Sequence, residues 1–147
     1  MTKMLEMHEV ELRVDPLTNM PLLVLSDQRG EHSLPIWIGL IEAGAFAPRL
    51  EQIELSSPTT HDLVARVLGA LDATVTRAEI VDLSADGTYH ARLVVHHGGR
   101  EHEIGCRPSD AVAAAMRADA CRILVAADVV ERARELARPA PEQALGA

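Results

Sequence analysis

Apolar and polar residues alternate near the start of the chain with the period of a half-buried strand. Val10, Leu12 and Val14 take turns with Glu9, Glu11 and Arg13, and the pattern closes at Asp15 and Pro16. A denser apolar run covers 21–26, with Pro21 at its leading end, where a strand tolerates the missing N–H. Turn-forming residues at 16–19 and 27–30 separate these runs from a third, Leu34, Pro35, Ile36, Trp37 and Ile38. The first forty residues therefore predict an antiparallel meander whose first strand begins at Val10.

Gly39 ends the third run, and Glu42, Ala43, Gly44 and Ala45 read as the first turns of a tightly packed helix. Glu42 is thus placed at a strand-to-helix junction. This helix is expected to reach about residue 50, with Pro48 kinking or ending it early. Thr59, Thr60, His61 and Asp62 have the form of a capping box. Leu63, Val64, Val67, Leu68 and Leu71 follow at helical spacing and predict a second helix.

A strand is expected over 75–83, a turn at Asp86-Gly87, and a hairpin of 89–97 and 100–106 about Gly98-Gly99. A two-residue turn sets His97 opposite Arg100, Val95 opposite His102 and Leu93 opposite Ile104. One face then carries Tyr89, Ala91, Leu93, Val95 and Ile104. The other carries His90, Arg92, Val94, His96, Glu101, Glu103 and Gly105. Arg107, Pro108, Ser109 and Asp110 open an alanine-rich helix ending near 118, with Pro108 at the first helical position and Asp110 reaching back as a capping acid. A short strand at 123–126, a last helix from 129 to about 137 capped by Asp128, and a loose tail over 138–147 complete the chain. The fold class expected is α+β: a mostly antiparallel sheet packed by about four helices, in a single domain over 1–137.

Composition narrows the function. Of 147 residues, 48% are hydrophobic but only 2% aromatic, so the core must be built from Leu, Val, Ile and Ala, and few platforms exist for stacking bases. A formal charge of −8 disfavours diffuse attraction to a polyanion and argues against a nucleic-acid coat protein. It leaves room for an enzyme that meets nucleic acid through a local basic patch or a bound cation. Cys106 and Cys121 have no paired spacing, which fits a reducing cytoplasm and no disulfide framework. No run approaches the length of a membrane span and the N-terminus lacks an export pattern, so a cytoplasmic location without a membrane partner is expected.

Three segments, LPIWIGLIEAGA at 34–45, SPTTHDLVARVL at 57–68 and RPSDAVAAAMR at 107–117, together resemble the bifunctional nuclease family in order and spacing. The likeness extends over roughly 10–130. It implies a compact α+β domain that forms a homo-oligomer, most simply a dimer, and acts on DNA and RNA. Where relatives carry an Asp two positions before the Arg-Pro-Ser-Asp motif, this chain has Gly105, and Cys106 stands where a small residue is usual.

Glu42, Asp62 and Asp110 are the acids of the three signatures. If the motifs converge, the resemblance implies that these carboxylates position water and hold Mg²⁺ or Mn²⁺ for phosphodiester hydrolysis. Arg107 would clamp a phosphate with the help of the Ser109 hydroxyl, and His61 would serve as a base. The competing reading is structural: Asp62 and Asp110 cap helices, Glu42 pairs with Arg107, and the chain is a non-catalytic binding or regulatory module. His96, His97 and His102 gather at the hairpin tip, where two imidazoles could bind zinc weakly. No third ligand is set by the pattern, and a solvated cluster is the better reading.

Overall fold

The computed structural model describes residues 3–53, 55–118 and 121–136. In chain order these form β1 (Met4–Met7), β2 (Glu9–Val14), β3 (Pro21–Ser26), β4 (Ser33–Trp37), α1 (Leu40–Ala43), α2 (Ala47–Leu50) and α3 (Thr60–Ala70). There follow β5 (Thr74–Leu83), β6 (Tyr89–His97), β7 (Arg100–Cys106), α4 (Pro108–Met116), β8 (Arg122–Ala126) and α5 (Ala127–Glu135). The tail expected over 138–147 lies outside the described residues. No helix among the described residues is long and apolar enough to cross a membrane.

Two sheets carry the α+β fold. The smaller is the meander β2-β3-β4, antiparallel throughout. The larger has the order β1-β8-β5-β6-β7, antiparallel except where β5 and β8 run parallel. β1 departs from expectation: a strand precedes the one at Val10 and belongs to the other sheet, pairing Met4 with Ala126 and Met7 with Ile123. Met4, Leu5, Glu6 and Met7 show no clean alternation because β1 is set by its partner and not by a half-exposed face.

The hairpin register is the expected one, with His97 opposite Arg100 and Leu93 opposite Ile104. Gly98 and Gly99 both have positive φ, 62° and 75°, the conformation a two-residue turn of this hand requires. Tyr89, Ala91, Leu93 and Val95 are buried as their face predicts, with the Tyr89 hydroxyl donating to Pro35 O (3.0 Å), but Ile104 is 47% exposed. α4 packs over β5 and β6, so β7 at the sheet edge is left uncovered. On the opposite face Glu79 is buried between Arg77 (3.2 Å) and Arg92 (2.6 Å), which in turn reach Glu101 and Glu103. Val94, on that polar face, is fully buried nonetheless, which fits cover by the apolar stems of long neighbours.

The core joins both sheets. Leu23, Leu25, Leu34 and Ile36 from the meander meet Ile80 and Val125 from the large sheet. Ala111, Val112 and Ala113 of α4 and Val129 of α5 complete it. Alanines on α4 let the helix lie close to the sheet, which fixes the direction of its N-terminus. The stretch expected as one helix from Glu42 to about 50 divides at Gly44 into the single turns α1 and α2, and Pro48 falls in the first turn of α2. Phe46, fully buried, pins the elbow between them.

α3 begins at Thr59 with the full capping box formed: Asp62 N–H donates to Thr59 Oγ1 (3.4 Å) and Thr59 N–H to Asp62 Oδ2 (2.8 Å). Its apolar stripe is not covered. Leu63, Val67 and Leu71 are 57%, 48% and 60% exposed, and Leu40 and Ile41 of α1 stand out further. Asp128 does not cap α5 with its side chain and pairs with Arg132 one turn on, at 2.9 Å. Replacing Phe46 with Ala empties the elbow that carries α1. Urea unfolding followed by far-ultraviolet circular dichroism is expected to show a loss of about 3–5 kcal/mol. A loss below about 1 kcal/mol would mean that the elbow is held by something other than this ring.

Candidate functional site

Arg107 occupies the N-cap position of α4 with extended backbone (φ −71°, ψ 150°), which swings its side chain back over the helix start. Its guanidinium forks onto Asp110, Nε donating to Oδ2 (2.8 Å) and one Nη to Oδ1 (3.1 Å). The other Nη donates to Glu42 Oε1 at 3.2 Å. His61, from the first turn of α3, meets Asp110 Oδ1 through Nε2 at 2.9 Å. One side chain therefore links the first and third signatures, and Asp110 brings in the second. The four groups open on a cleft of about 720 Å³ whose apolar walls include Ile41, Val64, Leu93, Ile104 and Cys106.

Asp62 does not join them. Successive helical residues point about 100° apart, and with His61 facing the cleft Asp62 faces the other side of Thr59. There Arg117 Nε donates to Asp62 Oδ1 at 2.7 Å. The Arg117 side chain is only 4% exposed, against 42% for Arg107. It also donates to Ala45 O (2.9 Å), Ala113 O (2.9 Å) and Thr59 Oγ1 (3.4 Å). Ala45, Thr59 with Asp62, and Ala113 belong to the first, second and third signatures. Arg117 was not singled out from the sequence. Its signal was present as the last residue of the RPSDAVAAAMR segment, a lone arginine closing a run of alanines that must be buried.

The electrostatics follow the partners. The hydrogen bond from His61, joined by the Arg107 guanidinium, holds the Asp110 carboxyl down at about 2, against an upward push from burial that is second only to the His61 bond. Asp62 is held well below the usual carboxylate range, first by the Thr59 backbone N–H and then by Arg117. Both acids are ionised across the physiological range. Ser109 is buried, 2% exposed, and does not line this cleft. Gly105 pairs with Arg92 on the polar face of the sheet, while its neighbour Cys106 lines the cleft. An acid at position 105 would point away from Arg107.

Two carboxylates and an imidazole facing one cleft are donors of the kind a hard divalent cation takes. Among the described residues, however, no three His, Cys, Asp or Glu side chains stand close enough to close round a metal ion. Glu42 and Asp110 meet instead at Arg107. At the hairpin tip the His97 and His102 rings lie 6.2 Å apart, and His102 Nε2 is bonded to the His97 carbonyl. Neither Cys106 nor Cys121 is in a disulfide.

A meander and a five-stranded sheet that bring three signature segments to one cleft define the class. The family model described as the bifunctional nuclease domain matches residues 23–137, and the chain belongs to that family. Two proteins of Mycobacterium tuberculosis, from strains CDC 1551 and H37Rv, are each 40% identical over 112 residues. Both carry the name uncharacterized protein. The match covers 76% of this chain and 66% of those relatives, just under two thirds of their length.

The depressed Asp110 titration has a defined pH signature. Its folded value lies below the ordinary 3.8, so its stabilisation is fully present above about 3.8 and is lost as the pH falls through about 2. In urea unfolding at pH 7, Asp110→Asn is expected to cost about 1–2 kcal/mol, discounted for the partial exposure of the pair. The gap from wild type should close between about pH 4 and pH 2. A gap that is constant over that range would show that the ion pair is not what Asp110 contributes.

Proposed function

We propose that the cleft of Glu42, His61, Arg107 and Asp110 binds and hydrolyses phosphodiester bonds of DNA or RNA. The observation that carries this reading is the state of Arg107, a forked guanidinium at a helix start, half exposed in an open cleft and poised between two carboxylates. A phosphate offers the same planar pair of oxygens that Asp110 now presents, so it can take over the fork. Family membership adds support.

The roles divide by chemistry. Arg107 takes the non-bridging oxygens. Asp110, bonded to His61 Nε2, orients the imidazole so that Nδ1 is the nitrogen that accepts a proton from the attacking water. Glu42 balances the guanidinium when no substrate is bound. Mg²⁺ or Mn²⁺ would be held by the Glu42 and Asp110 oxygens and would supply charge neutralisation on the phosphate. Asp62 serves this site from outside it, as the cap that holds α3 in place.

The uncovered apolar residues of α1 and α3 support self-association. Leu40 and Ile41 are 81% and 89% exposed beside the cleft, and a second copy is the partner that the homo-oligomer reading requires. A second functional reading draws on a specific observation too. Glu42, Arg107 and Asp110 already satisfy one another, as a structural lock would, in a chain of formal charge −8. On that reading the protein is a non-catalytic binding or regulatory module.

Cleavage of a labelled oligonucleotide with Mg²⁺ or Mn²⁺ separates the two. Wild type is expected to cleave and to stop with EDTA. Arg107→Ala, and Glu42→Gln with Asp110→Asn, purified in parallel, should lose about 100-fold or more in kcat/KM. Equal residual cleavage in all three preparations would mark a contaminant and remove the enzyme reading.

A further inference from the structure

A second cleft of about 540 Å³ lies across Pro58 and Thr59 from the first, and these two residues line both. Among the described residues it is lined by three arginines, Arg49, Arg66 and Arg117, and by one carboxylate, Asp62. Asp62 and Arg117 neutralise each other at 2.7 Å, and Arg117 makes further bonds to the Ala45 and Ala113 carbonyls and to Thr59 Oγ1. Among the described residues two positive charges are left over at the rim. Arg66 is exposed on α3. Arg49 is exposed on α2 and uses one Nη on Met116 O at 3.2 Å. Both line one open concavity, where two cations favour a bound anion even in a chain of net charge −8.

Resting on the phosphodiester reading of the first cleft, we propose that the second is a phosphate subsite for the same strand. The strand crosses Pro58 and Thr59, so that one phosphate lies at Arg107 and a neighbouring one between Arg49 and Arg66. The hydroxyls of Ser56 and Ser57 border this second position. An open groove with its cations on flexible side chains at the rim suits a backbone that passes through, whereas a free phosphate ion is usually enclosed by backbone amides. Among the described residues neither cleft is lined by Phe, Tyr or Trp, so bases have no stacking platform there, and the strand is read by its backbone with little base preference.

The test is fluorescence anisotropy with a labelled phosphorothioate 10-mer and a labelled dinucleotide, on wild type, on the double variant Arg49→Ala with Arg66→Ala, and on Arg107→Ala. The double variant is expected to bind the 10-mer about tenfold or more weakly at low salt. Its slope of log affinity against log salt should fall by about 1.4, two single-strand contacts at about 0.7 each. The dinucleotide spans a single phosphate, so its affinity should follow Arg107 and not the double variant. If the double variant keeps the affinity and salt slope of wild type for the 10-mer while Arg107→Ala loses binding, the second subsite is wrong and the first cleft stands. If wild type binds neither probe, both readings fall. Inorganic phosphate that binds wild type and not the double variant, with 10-mer affinity equal in the two, would identify a free-anion site and also overturn the proposal.

Discussion

Arg117 is the constraint on which the arrangement depends. A guanidinium that is almost fully buried must be neutralised and hydrogen-bonded, and the partners available to it come from three separated segments of the chain. It reaches the α1–α2 elbow at Ala45, the start of α3 at Thr59 and Asp62, and its own helix at Ala113. Meeting those bonds sets the position of α3 against α4. Taking Asp62 away leaves that guanidinium without its counter-charge, at a cost below the roughly 3–5 kcal/mol of a fully buried pair because the Asp62 side chain is 29% exposed.

Arg107 makes the same kind of three-segment connection ten residues earlier, but in the open. Its partners are Glu42 and Asp110 directly and His61 through Asp110, and nearly half of its side chain meets solvent. The two arginines of one helix thus divide the work. The buried one orders the segments so that the exposed one is presented with two acids and an imidazole around it. An ion pair in that setting is held in place yet remains exchangeable, because the partial exposure that weakens it also gives a competing anion access.

Much of this was legible in the residues. The hairpin register followed from two glycines and face segregation, the capping box at Thr59 followed from residue type and spacing, and the meander followed from its period. What was not legible depended on partners distant in sequence. β1 lacks a periodic pattern because its place is dictated by β8. The exposure of Ile104 comes from where α4 stops covering the sheet. The three acids of the signatures looked equivalent as a list, and only the rotation of about 100° between His61 and Asp62 sends one of them to Arg117. Gly105, notable in the sequence as a missing acid, lies on the other side of the sheet from the cleft. Strand alternation implied that separation from Cys106, but not which face the cleft would use.

The central claim is that Arg107 is exchangeable and Arg117 is fixed. Side-chain Nε–H signals of the two arginines in a ¹⁵N-labelled sample, followed during titration with a phosphorothioate dinucleotide, test it directly. The account predicts that the Arg107 signal moves progressively as Asp110 and Glu42 give way to phosphate, while the Arg117 signal keeps its position. Saturable binding with the Arg107 signal unmoved, or with Arg117 shifting in its place, would contradict it.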